Sequence, residues 1–404
     1  MHPPRLVGVL ALVFASTMAP GCFWSSNKGT EANPDALSQA ADAEAQAFAH
    51  ELELAFQSKD RSRAMQVCAL EVIAHRVANS LPLAEDKKAD TVKFLQTKAD
   101  AGEFVDELLD IIRDGGVFKL LRVQAIDERH HATFRLTHPK SSVIVYVDTI
   151  IARSAVGRVG VEDIIILNDG ERLTDQIRYD ILPAAALRDS SLESRLSDDE
   201  KLLVAHSDKV KKLLKARNNN KMREVVAAYK DLPLGLKNRK ACLFIYVRAI
   251  ESRDRAEQKR TMDTCRQLFP GDPALVLFCL DLHVARDEKR EAIQEIEALR
   301  KIVGEDAYLD AAEAALLGKL GQYETARAAA DRAIQREPDL LFAYISRISV
   351  AVDEKNYVDV LAWLKKTVEQ TGHYFGDLRT LPAYSSFVRS PQHEEWLKWL
   401  AKGK

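Results

Sequence analysis

Arg135, Tyr146, Asp148 and Asp163 are the residues of this 404-residue chain whose types and spacing come nearest to a reaction centre. Tyr146 and Asp148 stand two apart in a run of period-two alternation, so a strand there turns both to one face. Asp163 can share a layer with Asp148 from the following strand, and Arg135 lies on the strand before. A carboxylate held in an apolar pocket has a raised pKa and can act as a general base. The plain alternative is that these polar groups pair with one another or face solvent, because a sheet face need not be buried. His130 and His131 are adjacent at a turn and read as a solvated pair.

Other chemistries lack their residues. The five cysteines (Cys22, Cys68, Cys242, Cys265 and Cys279) are irregularly spaced, with no C-x-x-C and no histidine run, so no metal site is expected. The chain has no G-x-x-x-x-G-K-S/T phosphate loop, no G-x-G-x-x-G, no H-E-x-x-H and no G-x-S-x-G. No cofactor is implied, and catalysis is not expected.

Composition sets wide bounds. Hydrophobic residues make up 47% and charged residues 29%, the balance of an ordinary globular protein with a real core. The formal charge of −2, with no basic stripe, gives no electrostatic footprint for nucleic acid. The charge-rich stretch 198–217 reads as a solvated helix face with snorkelling lysines.

The elements that must position these groups follow from periodicity. Helices are expected over 36–57, 62–79 and 85–113, the last stopping at Gly115-Gly116. The pattern then changes to period two. Strands are expected over 117–126, 132–137, 143–151 and 159–167, joined by turns at Asp127-Glu128, Pro139-Lys140 and Val156-Gly157, an antiparallel meander. A short helix over 174–181 should end before Pro183. Helices followed by a curved meander resemble the cone-shaped NTF2-like α+β fold over residues 36–185. The stretch YVDTIIARSAVGRVGVEDIIILNDGERLTDQIR resembles a segment of NTF2-like domains that precede tetratricopeptide arrays. That fold hosts both enzymes and plain binding modules, so the resemblance leaves open a ligand-binding cavity lined by Arg135, Tyr146, Asp148 and Asp163.

In the second half, chain breakers recur at one spacing: Pro270, Gly304, Pro338 and Gly372 are each 34 residues apart. Between them, LGQYETARAAADRAIQREPD resembles the second helix and exit of the tetratricopeptide family. Gly321 and Tyr323 stand at the turn, Ala326, Ala330 and Ala333 in the small-residue slots, and Pro338 at the exit. Two residues depart from the pattern: Glu313 stands in an aliphatic slot and Lys289 replaces the turn tyrosine. Such hairpins bury both faces only by stacking on neighbours. Four units over 239–372, with a weaker fifth over 205–238 turning at Asn218–Asn220, make an all-α solenoid. Ser390 and Pro391 then start a capping helix with Trp396, Leu397 and Leu400 on its apolar face. The resemblance implies that first helices present Phe278, Asp281, Phe342, Ile345, Ser349 and Val352 on a concave face that meets a protein or peptide.

The N-terminus, MHPPRLVGVLALVFASTMAPGC, has a basic Arg5, a short apolar run and small residues before Cys22. The run is too short to span a bilayer and reads as a secretory signal. It resembles a bacterial lipoprotein signal, with Cys22 the acylated residue; ordinary signal-peptidase cleavage is the alternative, since Ala19-Pro20-Gly21 also suits it. The polar SSNKGTEANP that follows suits a tether. The expected order is a signal over 1–21, a lipidated tether over 22–35, an α+β domain over 36–185 and a linker over 186–204. Helical repeats over 205–374 and a capping segment over 375–404 complete it. The expected role is a non-catalytic scaffold or adaptor of the bacterial cell envelope, held at the outer membrane or periplasmic face. The alternative is a small-ligand binder or enzyme working in the cone.

Overall fold

The computed structural model describes residues 42–402 apart from 69–70, 101–102, 139–143, 154–157, 189–190 and 251–253. The leader, Cys22, the tether and the expected turns at Pro139-Lys140 and Val156-Gly157 lie outside the described residues. These fall into two compact units that divide between Leu275 and Val276.

The first unit opens with α1 (Asp42–Gln57), α2 (Arg61–Cys68), α3 (Glu71–Ser80), α4 (Glu85–Asp100) and α5 (Glu103–Arg113). Strands β1 (Val117–Ile126), β2 (Arg129–Thr137), β3 (Ile144–Arg153), β4 (Val159–Ile166) and the short β5 (Glu171–Arg172) follow. They form one sheet in the order β1-β2-β3-β4-β5, each antiparallel to the next. The expected meander is the one observed. Asp127 and Glu128 make a two-residue turn with φ of 46° and 61°, a left-handed pair that matches the strand twist. Bulges at Leu121 on β1 and Glu162 on β4 curve the sheet.

Pleating sorts the strand residues by face. Phe118 and Phe134 stack at 4.6 Å between ring centroids, and Phe56 of α1 packs on Phe118 at 5.0 Å. Ala132, Leu136, Val147, Ile151 and Ile164 share that face by register, so the side that α1 covers is largely apolar. Helix α1 also protects the edge of the sheet. The Leu120 amide donates to Glu53 Oε1 at 2.9 Å, and Gln57 donates to the Phe118 carbonyl at 3.3 Å.

Helix α6 (Leu173–Arg188) runs through Pro183 rather than ending before it. Leu182 and Pro183 are both buried, so packing holds the helix despite the missing amide. An all-helical region continues with α7 (Asp198–Ala205), α8 (Ser207–Asn218), α9 (Met222–Lys230), α10 (Leu234–Lys237), α11 (Lys240–Ile250) and α12 (Arg255–Leu268). Ser197 and Glu200 close a capping box on α7. The stretch read as one charged face breaks at His206 into α7 and α8, and the α8–α9 turn falls at Asn219–Lys221 with Asn220 at φ 55°.

The chain continues through α13 (Pro273–Ala285), α14 (Lys289–Val303), α15 (Ala307–Lys319), α16 (Tyr323–Arg336), α17 (Leu341–Asp353), α18 (Tyr357–Thr371) and α19 (Pro391–Lys402). Helices α12, α14, α16 and α18 begin at Arg255, Lys289, Tyr323 and Tyr357, each 34 residues after the last; α13, α15 and α17 begin at Pro273, Ala307 and Leu341 with the same interval. In the second unit Ala326, Ala329, Ala330 and Ala333 of α16 are fully buried, against Ala314 and Leu317 of α15 and Ala343 of α17. The C-terminal segment places Phe375, Leu378, Phe387 and Trp396 on Ile348, Val360 and Leu364. Trp399 and Leu400 pack beside Trp396, but Leu397, expected on that apolar face, is half exposed because its turn of α19 points outward.

Candidate functional site

The four residues picked out in the sheet are brought onto one face, opposite the one that carries Phe118 and Phe134. Arg135 and Tyr146 are cross-strand partners, and both are fully buried. Asp148 sits opposite Thr133 on β2, and its Oδ2 lies 2.7 Å from His131 Nδ1. His130 and His131 are therefore not solvated. Strand β2 begins at Arg129, which pleats the two rings to opposite faces and buries both. His130 Nε2 meets Asp42 of α1 at 2.7 Å. The contact between Nδ1 and Asp148 fixes the orientation of the His131 ring. The period-two frame would have placed His131 with Thr133 and Arg135; its apparent turn position hid it.

Asp163 shares the face but not the contacts. Its carboxylate accepts from the Ile164 amide at 2.9 Å, the Thr174 amide at 3.2 Å and the Thr174 hydroxyl at 2.6 Å. Burial pushes its pKa up, and those hydrogen bonds oppose the shift. It thus anchors the start of α6 and is separate from the His131–Asp148 pair. The adjacent Glu162 pairs with Arg76 of α3 and with Arg129 at 2.9 Å.

A second cluster joins the β4–β5 turn to α11 within the first unit. Arg248 donates to the Asn168 carbonyl at 2.7 Å, and Lys240 reaches both the Gly170 carbonyl and Asp272. Asn168 in turn accepts from the Tyr146 amide and donates to the Ile144 carbonyl. Gly170 has φ +69°, a backbone conformation that favours glycine, and it leaves room for the end of the Lys240 side chain. Glu171 is half-buried; burial, then the Asp169 charge, push its carboxyl up to about 7. These ties explain why the first helices of the all-helical region group with the sheet.

Of the six residues expected to meet a partner, Phe278 and Asp281 stand on α13 and the other four on α17. Phe278 is buried and Asp281 exposed. Phe342 is half-buried and stacks on Tyr308 at 4.6 Å. Ile345 and Val352 pack at the margin of the Ile348–Ala351–Val360 core, and Ser349 donates back to the Ile345 carbonyl. Phe342, Ile345, Ser349 and Val352 thus form one half-buried stripe along α17. Glu313 also finds a physical role. With Asp310, which is 1% exposed, it receives Arg300 of α14 and Arg332 of α16, and Arg336 completes the pairing of Asp310.

Cys68, Cys242, Cys265 and Cys279 are unbridged and buried. Among the described residues no group of three His, Cys, Asp or Glu is placed to hold a metal ion, and no helix is long and apolar enough to cross a membrane. No family model and no curated protein matches the chain.

Proposed function

We propose that this protein is a non-catalytic adaptor of the bacterial cell envelope, lipid-anchored through Cys22, whose tetratricopeptide-type repeats recruit a protein or peptide. The observation that carries this reading is the 34-residue recurrence of helix starts in both alternating series, with side chains one period apart in contact. Tyr308 meets Phe342, and Lys319 meets Asp353 at 2.7 Å. Stacked hairpins of this period build extended surfaces suited to polypeptide partners. The stripe Phe342, Ile345, Ser349 and Val352 is the surface assigned to the partner, with exposed Asp281 on α13, two first helices earlier; Phe278, being buried, supports that helix from within. In this reading the α+β region, which follows the tether in the chain, lies nearer the membrane anchor than the repeats do.

Photo-crosslinking in intact envelopes tests this, with a crosslinking amino acid placed at Ser349 of the full chain. A discrete adduct that disappears when Asp281 is replaced by Lys and Phe342 by Ala supports the adaptor. Absence of any adduct from the whole stripe refutes it. Labelling with a radioactive fatty acid, compared with the Cys22→Ser chain, tests the anchor separately.

A further inference from the structure

The segment 207–240, from the start of α8 to the start of α11, holds eleven lysines and arginines against three acidic residues, a net charge of +8 in a chain whose total is −2. Part of that charge is satisfied within the fold. Lys209 meets Asp231 at 3.4 Å, Lys221 meets Glu224 at 2.9 Å, Lys240 pairs with Asp272, and the Arg239 guanidinium lies over the Tyr179 ring. Arg217 is half-buried and faces the charges of Asp169, Glu171 and Asp180. Lys230 and Lys237 end α9 and α10, where helix polarity favours a cation. The remaining four lie around the turn that joins α8 to α9. Lys211, Lys212 and Lys215 share one exposed face of α8, and Arg223 stands exposed in the first turn of α9. None of these four forms an ion pair among the described residues. Lys211 meets the field of Asp180 of α6 at longer range, and Asp208 is the one acidic residue on that face of α8, at the end away from the turn. Lysines three and four positions apart repel, so a helix keeps such a row at a cost when no anion stands beside it. Helix polarity favours Lys215, in the last turn of α8, but neither Lys211 nor Lys212.

We propose that the α8–α9 turn docks on a membrane surface of anionic phospholipid, with Lys211, Lys212, Lys215 and Arg223 set among its phosphate groups. A membrane offers many phosphates in no fixed geometry, and lysine meets them as a point charge on a flexible stem. Nucleic acid is served less well. Tyr229, the one aromatic residue of the two helices, is buried, so no ring is left on which a base could stack. A protein partner is also served less well, because interface centres are poor in lysine and rich in aromatic anchors. The hairpin belongs to the same compact unit as α1 and the sheet. Twenty residues lead from Cys22 to Asp42, a length that spans at most about 70 Å, so a chain held at Cys22 keeps this unit at its membrane. The proposal rests on the envelope reading for the presence of a membrane; the acyl group and the α17 stripe take no part in the contact.

The test sediments the full chain carrying Cys22→Ser, which accepts no acyl group, with vesicles of phosphatidylcholine alone or mixed with phosphatidylglycerol. The mixed vesicles should bind the chain more tightly, and added salt should remove the difference. A basic residue at an anionic surface is worth about fivefold in affinity, so Lys212→Gln with Lys215→Gln should weaken binding to the mixed vesicles by about twenty-fivefold. Lys301→Gln with Lys398→Gln removes the same charge at exposed positions of α14 and α19 and should change binding by less than about twofold. Any contribution of the apolar leader is common to all these chains. Far-UV circular dichroism reports on each fold; Arg223→Gln, on the other helix, should cost about fivefold and carries the test should the α8 pair melt. Equal binding to the two kinds of vesicle, or equal losses from the two double variants, overturns the proposal. So does tighter binding of a single-stranded oligonucleotide at equal phosphate concentration, which assigns the turn to nucleic acid. Because every chain lacks the acylated cysteine, failure of the anchor or of the crosslinked partner leaves this result readable.

Discussion

Tyr308 and Phe342 stack with ring centroids 4.6 Å apart and planes 29° from parallel, although they belong to different helical hairpins 34 residues apart. The contact repeats the chain period in space, since each ring occupies the second position of its helix, α15 or α17. Offset aromatic pairs contribute about 0.5–1.5 kcal/mol beyond their area burial. A double-mutant cycle of Tyr308→Ala and Phe342→Ala should therefore give a coupling of about 1 kcal/mol. Urea unfolding followed by the fluorescence of Trp363, Trp396 and Trp399 measures it in the unit that contains both rings. Additive losses would show that the rings merely lie near one another.

Ala330 has no exposed surface and sits between α15 and the flanking core, where only a methyl group separates the helices. Replacement by leucine forces atoms into a space already filled, and overpacking of this kind costs about 1–3 kcal/mol. The same change at Ala328, on another side of α16, should cost little. Thermal melts of the two variants decide it, and equal melting temperatures would mean that the helix pair tolerates wider spacing.

The repeat was legible because its punctuation is chemical. Gly304, Gly321 and Gly372 all adopt positive φ, where other residues are strained, so the breakers recur wherever a helix must stop and turn. Period two likewise located the strands and placed Tyr146 with Asp148. Local pattern could not say whether that face was covered, because burial of a sheet face depends on what packs over it. His131 was missed because it read as a turn residue although β2 already begins at Arg129, and the separate task of Asp163 was missed because its partner Thr174 lies beyond the β4–β5 turn. Pro183 misled for a related reason: tertiary burial outweighed a local breaker.

Asp310 is the most deeply placed charge of the second unit's ionic cluster, with Arg300, Arg332 and Arg336 converging on it. Asp310→Asn removes the one charge that all three guanidinium groups share. Breaking a buried pair by deleting one partner costs about 3–5 kcal/mol, and Arg332 and Arg336 are exposed enough to relax toward water, so about 2–3 kcal/mol is expected. High salt should reduce that difference only modestly, because Asp310 itself is shielded. Chemical denaturation at low and high ionic strength checks both statements; a loss that vanishes in salt would mean that the cluster acts as an ordinary surface network.

Glu171 makes the link between sheet and α11 sensitive to pH. Its carboxylate accepts the Ala241 amide and lies near Lys240 and Arg239, which favour the charged form, but burial and Asp169 outweigh them and lift its pKa from 4.5 to about 7. Arg217 of α8 and Arg248 of α11 also face this corner, the latter 3.5 Å from Asp169. A folded pKa above the unfolded one means that the native state holds the proton more tightly. The stabilisation is complete below about pH 4.5 and is lost as pH rises through 7. The full shift corresponds to at most about 3 kcal/mol, and partial exposure of Glu171 brings the expected change to about 1–2 kcal/mol between pH 5 and pH 8. Glu171→Gln keeps an acceptor for Ala241 and removes the titration, so its stability should vary less over that range than that of the unaltered chain. Denaturation midpoints followed by far-UV circular dichroism at pH 5, 6, 7 and 8 test this directly. Parallel curves for the two chains would place the pH dependence elsewhere and leave Glu171 as a neutral tie between strand and helix.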